Sequence, residues 1–497
     1  MCAVRIYQGT RLPAPCPVIY PNHGGNKVMN HSKELTDLLG SIVEKNHLAG
    51  VSACIMGPEG MLYEFNAGFI DKDESRVPDH DTMFGIASMS KSITALCTCI
   101  LAVEGRLSLE DPVVKFFPQF RVPGEPRESV TVRHLAMHTA GIPPMEPLEW
   151  TIVMNTPGRG DADYEKTLRA STPNKMETIE EVIDYIANCP YPNTGMPGQN
   201  LSYSNEGYAI LSYIVDQAAG MPLEQFMHER VFAPLGMTRS ILDNGHLAAQ
   251  ALSGGNMTSL FEMEDGKRTC DDGWSVLPPF RGCAMVKSTS KDMATYYRML
   301  SAYGMHEGKQ VIPREAVDLL LGSAHPVRPF QTMCMGINKR AFRGHVLCEH
   351  AGGLHGVSTK GGLVLGEGIG MAVLCNQGDE DMDPLLFAMY NAVLDLPLET
   401  SHDWFEAVSY PFSDFEMLTG RYICHEGIPS HFTLTFENDT PVGHHDETQT
   451  SLIYCGGTRF RSVKENGSLY SRIEFLISGG KAWGVRCGTR IYHRESD

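Results

Sequence analysis

Long apolar runs are missing from this chain of 497 residues. Nowhere do about 18 apolar residues follow one another, which is the length that a membrane-spanning helix needs, so the sequence predicts no membrane partner. Residues 1–22 contain Pro13, Pro15, Pro17 and Pro21 and have no apolar core behind a basic start. We therefore expect no secretory signal in that stretch.

Basic charge is also scarce. Lysine and arginine together number 41 against 59 aspartates and glutamates, which gives a formal net charge of −18. Because polyanions repel a chain of this balance, nucleic acid and anionic membrane surfaces are disfavoured as partners. Hydrophobic residues make up 42% of the sequence, enough for a packed core. The length favours about two or three domains.

Paired cysteine spacing is absent, although the chain has 14 cysteines. Several of them lie in apolar runs, among them Cys54, Cys97, Cys99 and Cys375. Small thiols in such runs are typical of core packing rather than of a disulfide framework. We interpret them as buried reduced thiols and predict a cytoplasmic protein.

Metal-ligand spacing is missing, and so is the nucleophile elbow of the α/β-hydrolases. His444-His445-Asp446 has no companion ligands at zinc spacing, so we interpret it as a solvated loop and predict no metal and no cofactor. The pattern Gly-x-Ser-x-Gly does not occur, which excludes the serine enzymes of the α/β-hydrolase fold.

What the chain does contain is a serine and a lysine, three residues apart, at the start of a predicted buried helix. Residues 87–103 are apolar nearly all round and Lys91 is their only charge. Ser88 and Lys91 project from one face of the first turn. A hydroxyl becomes a nucleophile when a nearby base takes its proton, and a lysine kept neutral by desolvation is such a base. The free backbone N–H groups of the first turn offer a site for an oxyanion.

A Ser-x-x-Lys pattern alone is weak evidence of an active site, because a solvated serine and lysine on a surface helix have the same spacing. Here Tyr203-Ser204-Asn205 and His350-Ala351-Gly352 follow it in the order and at roughly the spacing of the active-site serine enzymes of the penicillin-recognising class. The chain thus resembles the serine β-lactamase-related, penicillin-binding-protein-like superfamily, which includes class C β-lactamases, D-alanyl-D-alanine carboxypeptidases, D-aminopeptidases, esterases and acyltransferases. The resemblance covers about residues 35–376.

Further stretches support this resemblance in the same order along the chain. They are Asp81-Thr82-Met83-Phe84, residues 105–113, residues 133–143, Pro197-Gly198, Pro234-Leu235-Gly236-Met237, Ser288-Thr289 with Asp292, and Val373-Leu374-Cys375-Asn376. In the third of them the resemblance makes His138 a structural residue that holds the turn after a helix.

The resemblance implies an α/β (α+β) fold of the β-lactamase/penicillin-binding transpeptidase type, in which helices flank an antiparallel sheet and a helical subdomain spans about residues 100–300. We predict an irregular N-terminal arm at 1–30, a serine hydrolase domain at 31–400 and a small β-barrel-like domain at 412–497. Because no motif residue lies in the last of these, we expect it to limit access to the site rather than to supply chemistry.

The resemblance also implies the catalytic roles. Ser88 attacks a carbonyl, and Lys91 and Tyr203 share the proton work. Asn205 would place its amide against the substrate and Lys91. The backbone N–H groups of Ser88 and Gly353 would hold the oxyanion.

The third motif departs from the Lys-Thr-Gly of β-lactamases, whose ammonium pairs with a substrate carboxylate. Here His350 and Gly352 would contact the substrate instead, and a histidine with an ordinary pKa of about 6.5 is largely neutral at pH 7. We therefore predict a serine hydrolase of the esterase or peptidase kind that acts on an ester or amide, including D-amino-acid-containing peptides, with weak β-lactamase activity at most.

Two other functions fit the same residues. The first is an acyltransferase or peptide-cyclising enzyme that forms the same acyl-enzyme and passes it to an amine or alcohol. The second is a catalytically silent binding protein of the same fold. In each case the partner is a small molecule or peptide, and the sequence leaves the oligomeric state open.

Overall fold

The computed structural model describes residues 24–155, 163–171, 176–264, 266–271, 273–328, 331–403, 406–408, 415–437, 440–465, 467 and 469–495. Within these residues no helix combines the length and the apolar character needed to cross a bilayer.

The first part of the chain combines helices with an antiparallel sheet. The helices are α1 (Gly24–Lys45), α2 (Ser90–Val103), α3 (Val132–Ala136), α4 (Pro147–Asn155), α5 (Asp163–Ala170), α6 (Ile179–Ala187), α7 (Asn205–Ala219), α8 (Leu223–Met227), α9 (Leu247–Ser253), α10 (Arg281–Ala284), α11 (Ser290–Ser301), α12 (Arg314–Gly322) and α13 (Asp383–Val393). The strands are β1 (Gly50–Gly57), β2 (Gly60–Gly68), β3 (Phe84–Gly85), β4 (Ile241–Leu242), β5 (Leu260–Glu264), β6 (Lys267–Asp271), β7 (Val286–Ser288), β8 (Met305–His306), β9 (Lys309–Gln310), β10 (His325–Arg328), β11 (Gln331–Cys334), β12 (Ile337–Phe342), β13 (His345–Leu354), β14 (Val357–Val364) and β15 (Ile369–Cys375).

An eight-stranded sheet forms the frame of this part, in the order β10-β11-β12-β13-β14-β15-β1-β2. Its neighbouring strands run antiparallel. On one face α1 and α13 bury their apolar stripes, as the spacing of Leu35, Leu39 and Val43 predicts. On the other face lie α11 and the large core that includes α2. The predicted fold class is therefore confirmed.

The N-terminal helix starts earlier than the sequence pattern suggests. Helix α1 begins at Gly24, so residues 24–30 of the predicted irregular arm are helical, and residues 1–23 lie outside the described part. Cys97 and Cys99 are buried in α2 without a disulfide, which agrees with their interpretation as core thiols.

The last part of the chain is a closed eight-stranded antiparallel barrel. Its strands are β16 (Gly420–Cys424), β17 (Ser430–Glu437), β18 (Thr440–His445), β19 (Thr448–Tyr454), β20 (Arg459–Val463), β21 (Leu469–Ser478), β22 (Lys481–Cys487) and β23 (Arg490–Arg494). Tyr422 pairs with Arg494 to close it. Apolar side chains such as Phe432, Phe460 and Phe475 fill the interior. The barrel-like prediction for this region is confirmed in architecture, while the boundaries 31–400 and 412–497 stay a prediction.

The interpretation of His444-His445-Asp446 as a loop is wrong. His444 and His445 belong to β18, and His445 is buried with its Nε2 atom 2.8 Å from the Ser462 hydroxyl. Successive side chains of a strand point to opposite faces, so His445 points inward. The sequence does not show this, because the residues on both sides of His445 are polar as well. No cluster of three or more metal-ligating side chains occurs among the described residues.

We predict that Gly370→Ala destabilises the protein by about 1–3 kcal/mol, the range of an overpacked core. Gly370 lies where β15 passes α11, and a Cβ atom there would overlap the backbone of Arg298 and Ala294. The matched control is Gly322→Ala at the end of α12, where an added Cβ meets nothing within 4 Å. In urea unfolding, the midpoint concentration should be lower than that of the wild type for Gly370→Ala but not for Gly322→Ala. Equal midpoints for the two variants would contradict this packing.

Candidate active site

Ser88 lies in a short 3₁₀ turn that leads directly into α2. The turn spans Ala87–Met89, and α2 starts at Ser90. Ala87 has a φ of 43°, a left-handed conformation that costs a non-glycine residue about 1 kcal/mol or more and is held here by surrounding structure. Such strain next to a nucleophile is common at active sites.

Lys91 contacts Ser88 directly. Its Nζ atom donates hydrogen bonds to Ser88 Oγ at 2.9 Å and to the Cys283 carbonyl at 3.1 Å. The lysine side chain is fully buried, because α2 is surrounded by core on all sides. The spacing of three residues therefore brings the amine under the hydroxyl, as the sequence predicts.

Tyr203 lies above this pair at the start of α7. The Ser204 hydroxyl caps that helix by accepting a hydrogen bond from the Gly207 N–H at 3.0 Å, which fixes Tyr203 just before the helix and Asn205 at its first residue. Lys91 Nζ is 4.9 Å from the centre of the Tyr203 ring. The three proposed catalytic residues are thus brought together.

His138 stacks on Tyr203 with ring centres 4.1 Å apart. Its Nδ1 atom accepts a hydrogen bond from the Ser204 N–H at 3.0 Å. Burial and the nearby Lys91 charge hold the pKa of His138 well below its ordinary value, so the ring is neutral. The predicted structural role agrees with these contacts, which also support the tyrosine.

Strand β13 carries the third motif past the serine turn. Gly352 allows this approach, because a Cβ atom there would overlap the carbonyl oxygen of Ile86 and lie 3.2 Å from the Cβ of Ala87. Gly353, the next residue, is exposed and faces open space. His350 is buried, and burial together with the charge of Lys91 lowers its pKa to about 4. The imidazole is therefore neutral near pH 7, as the sequence analysis expects.

A cavity of about 450 Å³ opens over the serine. Five of the predicted residues line it: Ser88, Tyr203, His350, Gly352 and Gly353. The other wall carries charges that the sequence analysis overlooks, namely Lys360, Asp379, Glu380, Asp381 and Asp383. This acidic run follows the strand that ends at Cys375, and its position after a sheet strand is the signal that would have found it.

Asn205 makes a contact with the barrel that the motifs do not indicate. It is buried outside the lining of the cavity, and its Nδ2 atom donates to Glu426 Oε1 of the barrel at 3.1 Å. A contact of its amide with substrate therefore stays a prediction.

The barrel reaches the site, which the motifs do not indicate. The Tyr203 N–H donates to the Thr489 carbonyl at 2.9 Å, and Thr489 also lines the cavity. Arg490 lies over the Tyr203 ring, with its Cζ atom 4.3 Å from the ring centre. The expectation that the barrel limits access rather than supplies chemistry stays a prediction, and these contacts with Tyr203 come in addition to it.

The comparisons with known proteins agree with this geometry. A family model described as Beta-lactamase matches residues 35–393. The chain belongs to the Beta-lactamase family. The resemblance drawn from the motifs is confirmed for this Beta-lactamase-family protein.

Its relatives include a penicillin-binding protein and an esterase. Penicillin-binding protein 4* of Bacillus subtilis (strain 168) is 28% identical over 223 residues, which are 45% of this chain and 44% of that protein. Esterase EstB of Burkholderia gladioli is 27% identical over 197 residues, which are 39% of this chain and 47% of that protein. The chain thus spans less than half the length of these curated relatives.

The fold extends through the barrel in one solved structure. The crystal structure of SurE aligns with a TM-score of 0.69 over 94% of this chain and 100% of that chain, at 18% sequence identity. At this identity the likeness is one of fold.

We predict that Gly352→Ala reduces acylation of Ser88 by about 10²-fold or more, because the added methyl pushes β13 away from the serine turn and misplaces the oxyanion donors. The expected defect lies in the acylation rate, measured with a small chromogenic ester, and thermal unfolding checks that the variant is folded. A folded variant that acylates at the wild-type rate would contradict the role of this close approach.

Proposed function

We propose that this Beta-lactamase-family protein is a serine hydrolase that cleaves an ester or amide through an acyl-enzyme on Ser88. The observation that carries the proposal is the 2.9 Å hydrogen bond between Lys91 Nζ and Ser88 Oγ beneath an open cavity. A buried amine in contact with a hydroxyl is the arrangement that activates a serine nucleophile.

In the proposed reaction Ser88 Oγ attacks the substrate carbonyl carbon, and its proton passes to the unit formed by Lys91 and Tyr203. A phenol, with an ordinary pKa of about 10, accepts a proton only when cations stabilise its anion, and Lys91 is one such cation. The oxyanion receives hydrogen bonds from the backbone N–H groups of Ser88 and Gly353. The carbon–oxygen or carbon–nitrogen bond to the leaving group then breaks, and that group takes the proton. Water then attacks the acyl carbon and gives a proton to the unit formed by Lys91 and Tyr203. The bond from that carbon to Ser88 Oγ breaks, Oγ takes the proton back from the unit, and the carboxylic acid leaves.

The charge around the cavity supports a substrate without a free carboxylate next to the scissile bond. Lys360 is neutralised by its ion pairs with Asp383 and Glu349. The remaining acidic side chains of that wall repel a carboxylate, and a neutral His350 adds no attraction. Buried thiols such as Cys97 and Cys99 support a cytoplasmic location, since reduced cysteines persist there.

The first test is labelling with a fluorophosphonate, followed by intact-mass analysis with ester, D-amino-acid amide and acyl-D-alanine substrates. A covalent adduct on Ser88 supports a serine enzyme, whereas an unlabelled wild type would favour the silent binding protein. Adding an amine or alcohol acceptor separates hydrolysis from acyl transfer, because a transferase gives the amide or ester product in place of the acid.

We predict that Ser88→Ala abolishes acylation without unfolding the protein. Lys91→Ala and Tyr203→Phe should each slow acylation by about 10²–10⁴-fold, the range of general acid–base catalysis. The double variant should lose little more than the worse single variant, since groups that act as one unit are not additive. Multiplicative losses in stopped-flow acylation would mean that the two residues act separately.

We also predict that a neutral ester is cleaved faster than a matched substrate with a carboxylate beside the scissile bond, and faster than a penicillin. His350→Lys should improve the carboxylate substrate about tenfold relative to the ester, since a charge-assisted hydrogen bond exceeds a neutral one by about 1–1.5 kcal/mol. In the wild type the ratio of the two rates should stay flat between about pH 5.5 and 8 and favour the carboxylate only as His350 gains a proton near its lowered pKa of about 4. A step in that ratio near pH 6.5, or no effect of the lysine variant, would contradict this account.

A further inference from the structure

The Tyr203 ring is in contact with two cations that come from different parts of the fold. Lys91 Nζ lies 4.9 Å from the ring centre, and Arg490 Cζ of β23 lies 4.3 Å from it. Lys91 belongs to α2, whereas Arg490 belongs to the barrel. Both distances run to the ring centre, and positive charge close to an acidic group in general favours its ionised form.

Glu426 holds Arg490 in this position. The guanidinium donates from Nε to Glu426 Oε2 and from Nη2 to Glu426 Oε1, each at 2.5 Å, a bidentate ion pair with side chains only 19% and 24% exposed. Although burial disfavours its charge, the pKa of Arg490 is raised by this carboxylate, so it carries its charge throughout. Because the planar fork fits one carboxylate, the arginine has a defined orientation over the ring.

The same carboxylate reaches a second motif residue. Glu426 Oε1 also accepts the 3.1 Å hydrogen bond from Asn205 Nδ2. Two neighbouring links tie this stretch to the barrel: Tyr203 N–H to the Thr489 carbonyl at 2.9 Å, and Ile491 N–H to the Ser202 hydroxyl at 3.4 Å. One side chain of the barrel thus contacts both the cation over Tyr203 and the amide of Asn205.

We propose that Arg490 and Glu426 form a positioning pair, supplied by the barrel, that sets the orientation of Tyr203 and Asn205 and the charge that Tyr203 experiences while it handles the Ser88 proton. This inference rests on the proposed function for its catalytic consequence. It makes the barrel a part of the active site, and it assigns opposite electrostatic effects to the two members of the pair. Arg490 stabilises the phenolate, and Glu426 offsets part of that effect.

Other titratable groups lie near the ring or near the Arg490–Glu426 pair, and their charge has to be kept constant in a test. They are Lys91, His138, Glu206, Tyr208 and His350. His138 and His350 are neutral near pH 7, because burial lowers the pKa of each. Burial raises the pKa of Glu206 to about 7, so this residue changes charge within an assay range. Each variant is therefore to be measured both in the wild-type background and together with Glu206→Gln.

The test compares Arg490→Met, Arg490→Lys and Glu426→Gln by the pH dependence of acylation with a small neutral ester. Arg490→Met should move the midpoint of the acylation profile up by about one pH unit, and Glu426→Gln should move it down by a smaller amount. Arg490→Lys keeps the charge but loses the bidentate fork, so its midpoint should lie between those of the wild type and Arg490→Met. The matched control is Arg421→Gln, which breaks a barrel ion pair with Glu495 whose side chains make no hydrogen bond to residues 201–205 in the described chain. Its profile should equal that of the wild type.

A second measurement follows the Tyr203 phenol itself by ¹³C-tyrosine NMR, with Tyr203→Phe used to assign its resonance. Its titration should shift in the same opposite directions in the two variants, whether or not the protein turns over an ester. Folded variants that shift the midpoint in the same direction, or not at all, overturn the positioning pair. If instead the NMR shifts occur but Ser88 of the wild type is never acylated, the pair stands and the proposed hydrolase function is wrong.

Discussion

The contact between Lys91 and Ser88 depends on burying the Lys91 amine. This burial constrains both the hydrogen-bond acceptors around the amine and the packing of the helices around α2. A lysine at zero exposure is tolerated only where hydrogen-bond acceptors meet it, and the Ser88 hydroxyl and the Cys283 carbonyl are the acceptors here. Helix α2 has to be surrounded by core to keep water away, so its apolar faces are packed by α7, α10 and α12. The carbonyl of Cys283 belongs to α10, which lies against α2 and α7 for the same reason.

Two glycines near Ser88 and Lys91 also show how closely this part of the protein is packed. Gly352 lets β13 approach the turn before Ser88, and Gly336 approaches the carbonyl of Lys91 in the same way, since a Cβ atom there would lie 2.9 Å from that oxygen. A side chain at either position would push these segments of backbone apart. Backbone therefore approaches closely both at the turn before Ser88 and at the first residues of α2.

Local features of the sequence were enough to predict the parts of the site that lie within one element. Ser88 and Lys91 are three residues apart across the 3₁₀ turn and the start of α2, so helical geometry places them together. The strands around Phe432 and Phe475 were predictable for the same reason, because alternation records burial. Tyr203, by contrast, is predicted only through the resemblance to a known family. Asn205 and Glu426 are 221 residues apart, and their contact depends on how the barrel docks. No local pattern distinguishes Arg490 from an ordinary charged strand residue. The inward-facing His445 is equally hard to predict, because its neighbours in the sequence are polar too and the alternation of buried and exposed positions does not show.

The barrel's filled interior has a consequence for how its active-site contact can change. Its core is built from its own apolar residues, and the barrel closes on itself through β16 and β23. The turn between β22 and β23, which presents Thr489 to the cavity, therefore lies outside that apolar core. Exchanging the residues of that turn alters the cavity wall while leaving both cores intact. In this respect the turn is comparable to the variable loops of a binding domain, and it offers a compact place at which substrate range can be engineered.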